Sequence, residues 1–374
     1  MNVSVAAASV GLPETLGYRL KRRVLGAPLI TDQLKHERLS KTLALGVLAP
    51  DCISSSAYGT KEILIELLPY AALGAFTLVL PLTGVVLAIL LLLTLSYREV
   101  VTVYTKAGGS YVVARENFGP KVAQIAAVAL LIDYVVTVAV QTAAGTVAVV
   151  SAIPTLGPYS LEITVGVVLV LAYGNLRGLK EAGRAFAFPT YFFTLAMGSV
   201  IVVGLIRAAT GTLHRIDPTH LAGVVPVVHR NGFVMGVTLL VLLRAFANGG
   251  SSLTGLEAIS NGVSTFHAPE GPNARRAMVI MAGTLAFLVS GVSLLAYFTH
   301  ASPYTVGYPS VISQETRLVF GSGAIGHVLY GVVQAATALI LYTGANTSFN
   351  GFPFLASFVA EDAFLPRQLR RRGH

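Results

Sequence analysis

One apolar stretch, residues 41–70, is interrupted near its middle by the sequence PDCISSSAYG, which begins at Pro50 and ends at Gly59. Pro50 lacks a backbone N–H, Gly59 loosens the backbone, and the serine hydroxyls compete for backbone hydrogen bonds, so a continuous helix is disfavoured here. The ionisable Asp51 stands at this break, at about the depth of the bilayer centre. A charged group there costs roughly 2.5–3.5 kcal/mol, so it normally faces a cavity or a partner and not lipid. A broken membrane helix with a carboxylate at its break is typical of a transporter binding site.

The composition of the whole chain indicates a polytopic helical membrane protein. Of its 374 residues, 54% are hydrophobic and 11% are charged, whereas about 25% of the residues of soluble domains are charged. The mean hydropathy is +0.71. The basic residues behind the net charge of +9 lie mainly between hydrophobic segments. We therefore predict positively charged cytoplasmic loops and no nucleic acid partner.

Eight membrane spans are predicted from the apolar runs, with the amino terminus in the cytoplasm. Span one is broken around Asp51, and span six is broken at the sequence ANGGSS, residues 247–252. Between spans two and three, residues 97–121 are too polar to cross the membrane, so a re-entrant or interfacial segment bent at Gly108 and Gly109 is predicted. The predicted spans cover residues 41–70, 71–96, 122–151, 160–175, 185–206, 232–263, 277–299 and 322–349.

This topology divides the chain into three regions. Residues 1–40 are predicted to form a cytoplasmic amino-terminal segment, residues 41–350 a transmembrane transporter domain, and residues 351–374 a basic cytoplasmic segment. Because breaks recur in spans one and six, two inverted repeats of five spans are indicated, the second one incomplete. The predicted fold class is an all-α polytopic membrane protein, and we interpret the chain as the front of a longer protein.

Three acidic residues lie inside predicted spans: Asp51 in span one, Asp133 in span three and Glu257 in span six. Asp133, Thr137 and Gln141 are each four residues apart, so they form one polar stripe on a helix. Three uncompensated acids would cost on the order of 8–10 kcal/mol, and a bound cation, protonation or both would remove that cost. Clustered carboxylates titrate as a set, which permits exchange of a proton for a metal ion, and oxygen ligands suit a hard cation.

Two alternatives remain open at this point. Arg244, at the outer end of span six, is the one basic residue placed to pair with an acid, so a single membrane acid could have a structural role only. A receptor or scaffold would require all three acids to be structural. An enzyme is not expected, because the sequence contains no nucleophile–base pair and no metal motif.

Several segments resemble the KimA-type potassium importers, which belong to the amino acid–polyamine–organocation (APC) superfamily and are related to the KUP potassium transporters. The resemblance covers roughly residues 35–370. It implies a LeuT-like inverted-repeat fold, high-affinity potassium import coupled to protons, and a homodimer in the cytoplasmic membrane. It implies no cofactor, because potassium is the substrate and the proton is the coupling ion. The similar segments are DCISSSAYGT, KAGGSYVVARENFGP, IDYVVTVAV, LTGLEAISNGV, PNARR and NTSFNGFPFLASF.

The same resemblance implies the site residues. Asp51 and Asp133 are the expected carboxylate ligands of the potassium ion, and Glu257 and Asp133 the expected proton-coupling residues. Gln141 departs from the family pattern, which has a small hydroxyl residue there. Spans nine to twelve, with a tyrosine of the tenth, and the family's cyclic di-AMP-binding cytoplasmic domain have no counterpart in this sequence. The expected potassium-binding residues are Asp51, Tyr58, Asp133, Tyr134, Thr137, Thr254 and Glu257.

An amino acid or polyamine permease of the same superfamily is the main alternative. Permeases of this kind capture the substrate carboxylate on free amides of a glycine-containing break in the first helix. Here no glycine occurs between Asp51 and Gly59. The Asp51 carboxylate would repel an anionic headgroup by several kcal/mol in a site of low dielectric constant. A purely cationic amine escapes this objection, so polyamine transport stays open.

Overall fold

The computed structural model describes residues 38–104, 109–176 and 183–370. Of the described residues, 81% are helical, and this part of the chain contains isolated β-bridges but no β-strand. Short 3₁₀ turns separate many of the α-helices. In chain order, the helices of the described part are α1 (Lys41–Leu48), α2 (Pro50–Ser54), α3 (Gly59–Ala71), α4 (Ala75–Val103), α5 (Gly109–Phe118), α6 (Pro120–Ala152), α7 (Ser160–Leu176), α8 (Gly183–Ala209), α9 (Leu239–Gly250), α10 (Glu257–Asn261), α11 (Glu270–Thr299), α12 (Val311–Phe320) and α13 (Ala324–Glu361).

Seven stretches of the described chain are long and apolar enough to cross a membrane. One of them, Pro50–Val103, has 54 residues, which as a helix would measure about 80 Å against a hydrocarbon core of about 30 Å. It therefore holds two crossings, and the chain turns between them at Ala72, whose φ is +47°. With this division the stretches correspond to the eight predicted spans, and the all-α polytopic fold class is confirmed.

The first span consists of short helical pieces and contains no open loop. Helix α1 ends at Leu48, and Pro50 begins α2, where a missing N–H costs little. The three serines Ser54, Ser55 and Ser56 each donate a side-chain hydrogen bond to the carbonyl oxygen three residues earlier, at 2.9, 2.6 and 2.7 Å. These bonds give each hydroxyl a partner inside the first span, and they follow the local side-chain-to-backbone pattern typical of serine in helices. The predicted break is present, and it is compact.

The sixth span is broken more openly. Helix α9 ends at Gly250, a 3₁₀ turn follows, and Thr254 adopts an extended backbone before α10 begins at Glu257. Gly255 has φ +85°, a left-handed conformation that favours glycine. Helix α9 begins at Leu239, later than the predicted start at 232, because Thr238 accepts a hydrogen bond from the N–H of Val241 and caps the helix there.

Three further boundaries differ from those drawn on the sequence. Helix α4 continues to Val103 and α11 begins at Glu270, so both helices extend beyond the predicted spans. Helix α13 runs to Glu361, past the boundary at 350, because Leu355 and Val359 pack against α5 and α6. Most of residues 1–40, Gly108 of the predicted bend and residues 371–374 lie outside the described residues.

The broken spans lie in the centre of the helical assembly. The largest buried apolar cluster joins residues of α1 and α2 to residues of α8, α11 and α13. The two breaks touch each other, since the 3₁₀ turn Ser55–Ala57 contacts the turn Ser251–Leu253. Helix α6 lies along α13 over much of its length. The acids of spans one, three and six are therefore brought to one region of the interior.

Candidate functional site

The breaks in spans one and six are in direct contact. The Ser55 hydroxyl donates to the Ser252 carbonyl oxygen at 2.7 Å. A methyl group on Gly255 would lie 2.5 Å from the backbone nitrogen of Cys52 and 2.9 Å from Cγ of Asp51. Contacts this short exclude any side chain at position 255. The glycine thus lets the sixth-span backbone reach Asp51.

Asp51 lies at this junction and is almost completely buried, with 3% of its surface exposed. The Gln141 amide nitrogen of α6 donates to carboxylate oxygen Oδ1 of Asp51 and lies 3.5 Å from its carbonyl oxygen. The side chain of Thr347 on α13 lies near the carboxylate, and its hydroxyl donates to the Gly344 carbonyl oxygen at 2.6 Å. Gly344 leaves the space that the Gln141 side chain occupies, since a methyl group there would overlap its Oε1 atom. Three helices therefore hold one carboxylate in place.

The third-span residues face the same region from α6. Tyr134 and Thr137 are buried, with 6% of each exposed, whereas Asp133 is half-buried. The Tyr134 hydroxyl accepts a hydrogen bond of 2.9 Å from the Asn261 amide of α10. Gly351 on α13 lies against the Tyr134 ring, because a methyl group there would be 2.7 Å from the ring carbon Cζ. The tyrosine is fixed between α10 and α13.

The sixth-span residues complete the region. Thr254 donates from its hydroxyl to the Ser251 carbonyl oxygen at 3.1 Å, and its side chain lies close to that of Tyr58. Glu257 is half-buried at the first position of α10, with its carboxylate against the backbone N–H of Gly255. Tyr58 itself is buried. The hydroxyls of the two broken spans thus meet beside Asp51.

The three acids share one electrostatic environment without meeting at a single point. Glu257 and Asp133 are both close enough to Asp51 for their charges to act on it. No set of three or more His, Cys, Asp or Glu side chains in the described ranges is spaced to hold a metal ion. A cation at Asp51 would therefore draw its other ligands from hydroxyl and carbonyl oxygens.

No basic side chain of the described residues forms an ion pair with these acids. Arg244, considered above as a structural partner, is exposed on α9. The alternative in which Arg244 pairs with one of the membrane acids is therefore wrong. Because a buried carboxylate without a cationic partner is costly, the site as built is suited to a positively charged ligand.

Sequence reasoning missed several residues that shape this site. Gln141 stood in the predicted polar stripe, but its bond to Asp51 spans 90 positions of the chain and no local pattern reports it. Asn261 and Thr347 lie in segments that carried the family resemblance, and that was the available signal for them. Gly344 leaves room for the Gln141 side chain only because of the way α6 packs on α13, and the sequence does not show that packing.

Two comparisons with known proteins identify the family of this chain. Residues 51–374 match the family described as "Amino acid permease". The chain is also 41% identical over 357 residues to the potassium transporter KimA of Bacillus subtilis (strain 168). That match covers 95% of this chain and 56% of the relative, so the chain spans little more than half the length of the curated relative. The chain therefore belongs to the amino acid permease family, and it is a multi-pass membrane protein and not an enzyme.

Proposed function

We propose that this chain forms the ion-binding membrane part of a potassium importer in the cytoplasmic membrane, and that import is coupled to protons. The observation that carries the proposal is the buried Asp51 carboxylate at the contact of two broken spans, with no cationic side chain of the described residues paired to it. The relative named a potassium transporter supports potassium as the ion.

A cation bound at Asp51 would gain a large electrostatic stabilisation. At about 3 Å and an effective dielectric constant of about 20, the attraction between two unit charges is about 5 kcal/mol. Neutral oxygen ligands are available from the hydroxyls of Tyr58, Thr137 and Thr254, which lie in the same region. Hydroxyl and carbonyl oxygens around a single carboxylate suit a monovalent hard cation better than a divalent one, which usually takes several carboxylates.

Proton coupling is assigned to Glu257, with Asp133 as the second candidate. Both carboxylates are only half-buried, and both act electrostatically on Asp51. A proton bound by either acid would lower the negative charge around Asp51 and weaken its hold on a cation. Protonation of these acids and cation occupancy are therefore coupled at this site.

An amino acid substrate fits the first break poorly. The backbone N–H groups of this break already donate hydrogen bonds. The N–H of Ile53 donates to the Ala49 carbonyl oxygen at 2.9 Å, and the N–H of Tyr58 donates to the Ser55 carbonyl oxygen at 3.2 Å. A substrate carboxylate would find few free amides there and would meet the Asp51 charge. A cationic amine is the second candidate, because it could bind the same carboxylate and the family is one of amino acid permeases.

The orientation and the assembly are part of the proposal. The Arg- and Lys-rich segments between spans support an amino terminus in the cytoplasm. The homodimer and the cyclic di-AMP partner remain predictions from the resemblance. A role without a cofactor remains a prediction as well.

The decisive experiment measures transport in cells. The whole gene is expressed in a host that lacks potassium uptake, and growth at low potassium is compared for the wild type and for Asp51→Asn. Rescue by the wild type and its loss in the variant support cation import through the broken first span. If the wild type is well expressed in the membrane, gives no rescue and takes up a labelled amine or amino acid, the potassium proposal fails.

A further inference from the structure

A buried acid far along the chain from the three site acids has no role in the proposed transport site. It lies on α12, the ten-residue helix that connects α11 to α13 and belongs to no candidate membrane span. Helix α12 contacts α6, α8, α11 and α13. All six residues from Val311 to Thr316 are buried, so the helix is inserted between its neighbours and does not lie on the surface.

The other polar side chains buried on α12 have hydrogen-bond partners. The Ser313 hydroxyl lies 2.7 Å from the Tyr330 hydroxyl of α13, and the Gln314 amide donates to the Ser302 carbonyl oxygen at 2.7 Å. Thr316 donates to a carbonyl of its own helix. Glu315 differs from all of them: it is 0% exposed, and neither of its carboxylate oxygens has a hydrogen-bond partner among the described residues.

We propose that Glu315 is a proton-binding site that holds α12 in its buried position, so that rising pH on that side of the membrane releases the helix. This proposal stands apart from the proposed potassium transport, because it concerns the position of one connecting helix. Its ligand is the proton, and the protonated acid is the form that the buried position accepts.

The physical reason is the cost of an unpaired charge. An ionised carboxylate in an apolar site without partners is far more costly than the neutral acid, so burial raises the pKa of Glu315 well above its usual value. When α12 lifts and Glu315 meets water, the pKa returns to the ordinary range. Because the buried state has the raised pKa, its extra stability is complete below the ordinary pKa and is lost as the pH rises toward the raised value. Between the ordinary and the raised pKa, the equilibrium constant for lifting α12 increases about tenfold for each pH unit.

Other charged groups at this end of the bundle do not pair with Glu315. Arg317 stacks over the Tyr330 ring at 4.3 Å, and Arg207 of α8 donates to the carbonyl oxygens of Leu318 and Val319. Burial is the resolved cause of the raised pKa of Glu315, and no neighbouring charge contributes. The titratable and charged side chains of the packed elements at this end are Arg207 on α8, Tyr297 and His300 at the end of α11, Arg317 on α12, and His327 and Tyr330 on α13. Helix α6 carries none between residues 135 and 152.

Hydrogen exchange of the α12 peptide in the reconstituted full-length protein tests the proposal. Protection is calculated against the intrinsic exchange rate at each pH, and α13 serves as the internal reference. In the wild type we expect the protection of α12 to fall as the pH rises above the ordinary pKa of a glutamate, by about tenfold for each pH unit, while α13 changes little. In Glu315→Gln, which keeps the shape and removes the titration, we expect protection that does not depend on pH.

Matched controls decide the interpretation. Glu162→Gln makes the same chemical change at an exposed position of α7, and His327→Gln removes the nearby imidazole; both variants should keep the wild-type slope. A slope that persists in Glu315→Gln, or that disappears in His327→Gln, overturns the proposal. If Glu315→Gln does not fold, Glu315→Leu replaces it. The wild type alone remains decisive, because α12 protection that does not change with pH refutes the proton site without any variant.

Discussion

Replacing Asp51 by asparagine should abolish high-affinity cation uptake while leaving the protein folded. The substitution keeps the shape of the side chain and removes its charge. The side-chain carbonyl oxygen of the introduced asparagine can still accept the hydrogen bond that Gln141 now donates to Asp51. Because burying a charge without a cationic partner is costly, its removal should not lower the stability of the empty protein.

The size of the effect follows from the burial of Asp51. The attraction of about 5 kcal/mol between the carboxylate and a bound cation corresponds to more than three powers of ten in affinity. The asparagine dipole recovers part of it, so we expect the apparent potassium affinity to fall by at least about a hundredfold.

The assay is initial uptake of potassium, or of rubidium as its tracer, over a range of external concentrations in cells without other potassium uptake. Membrane abundance and thermal melting of the purified variant show whether the protein is intact. Glu162→Gln, the same kind of change at an exposed acid of α7, should transport like the wild type. If Asp51→Asn is as abundant and as stable as the wild type and its affinity changes by less than about threefold, the Asp51 charge does not hold the ion.

Three further substitutions test other parts of the site. Glu257→Gln should lose accumulation driven by a pH gradient more completely than cation binding, as measured by uptake in vesicles with and without the gradient; unchanged coupling would exclude Glu257 as the proton carrier. Gln141→Leu removes a hydrogen bond to a charged group worth about 1.5–3 kcal/mol, so the cation-free protein should melt earlier and potassium should raise its Tm more than in the wild type; an unchanged Tm without potassium would contradict the bond to Asp51. Gly255→Ala forces a methyl group into Cys52 at a backbone φ of +85°, and the strain of about 1–3 kcal/mol plus the overlap should separate the two breaks and stop uptake; normal uptake by this variant would refute the close contact.

The sequence alone was enough to predict much of the fold. Hydropathy and length located the spans, because crossing a bilayer requires about 20 apolar residues whatever lies next to them. The break at Pro50 was also predictable, since proline and serine act on the backbone locally. Helix ends were predicted less well, and α13 passes the boundary at 350 because buried contacts of Leu355 and Val359 stabilise its last turns.

The sequence also singled out three acids within apolar spans as candidate site residues, because a charge within such a span is costly in any context. It did not reveal which groups surround them. The contact of Ser55 with Ser252 joins residues 197 positions apart, and the bond between Gln141 and Asp51 joins residues 90 positions apart. The sequence also left Arg244 as a candidate ion-pair partner for one of the membrane acids, and the structure places that residue on an exposed face of α9.

The difference between the two kinds of prediction is physical. Span positions, helix breaks and intramembrane acids follow from the free energy of each segment in lipid, which its own residues determine. The partners of Asp51 and the isolation of Glu315 depend on which helix faces meet, and packing decides that over long separations of the chain. The sequence by itself therefore determined a membrane protein with a carboxylate at a broken helix, and only the tertiary structure decided what that carboxylate touches.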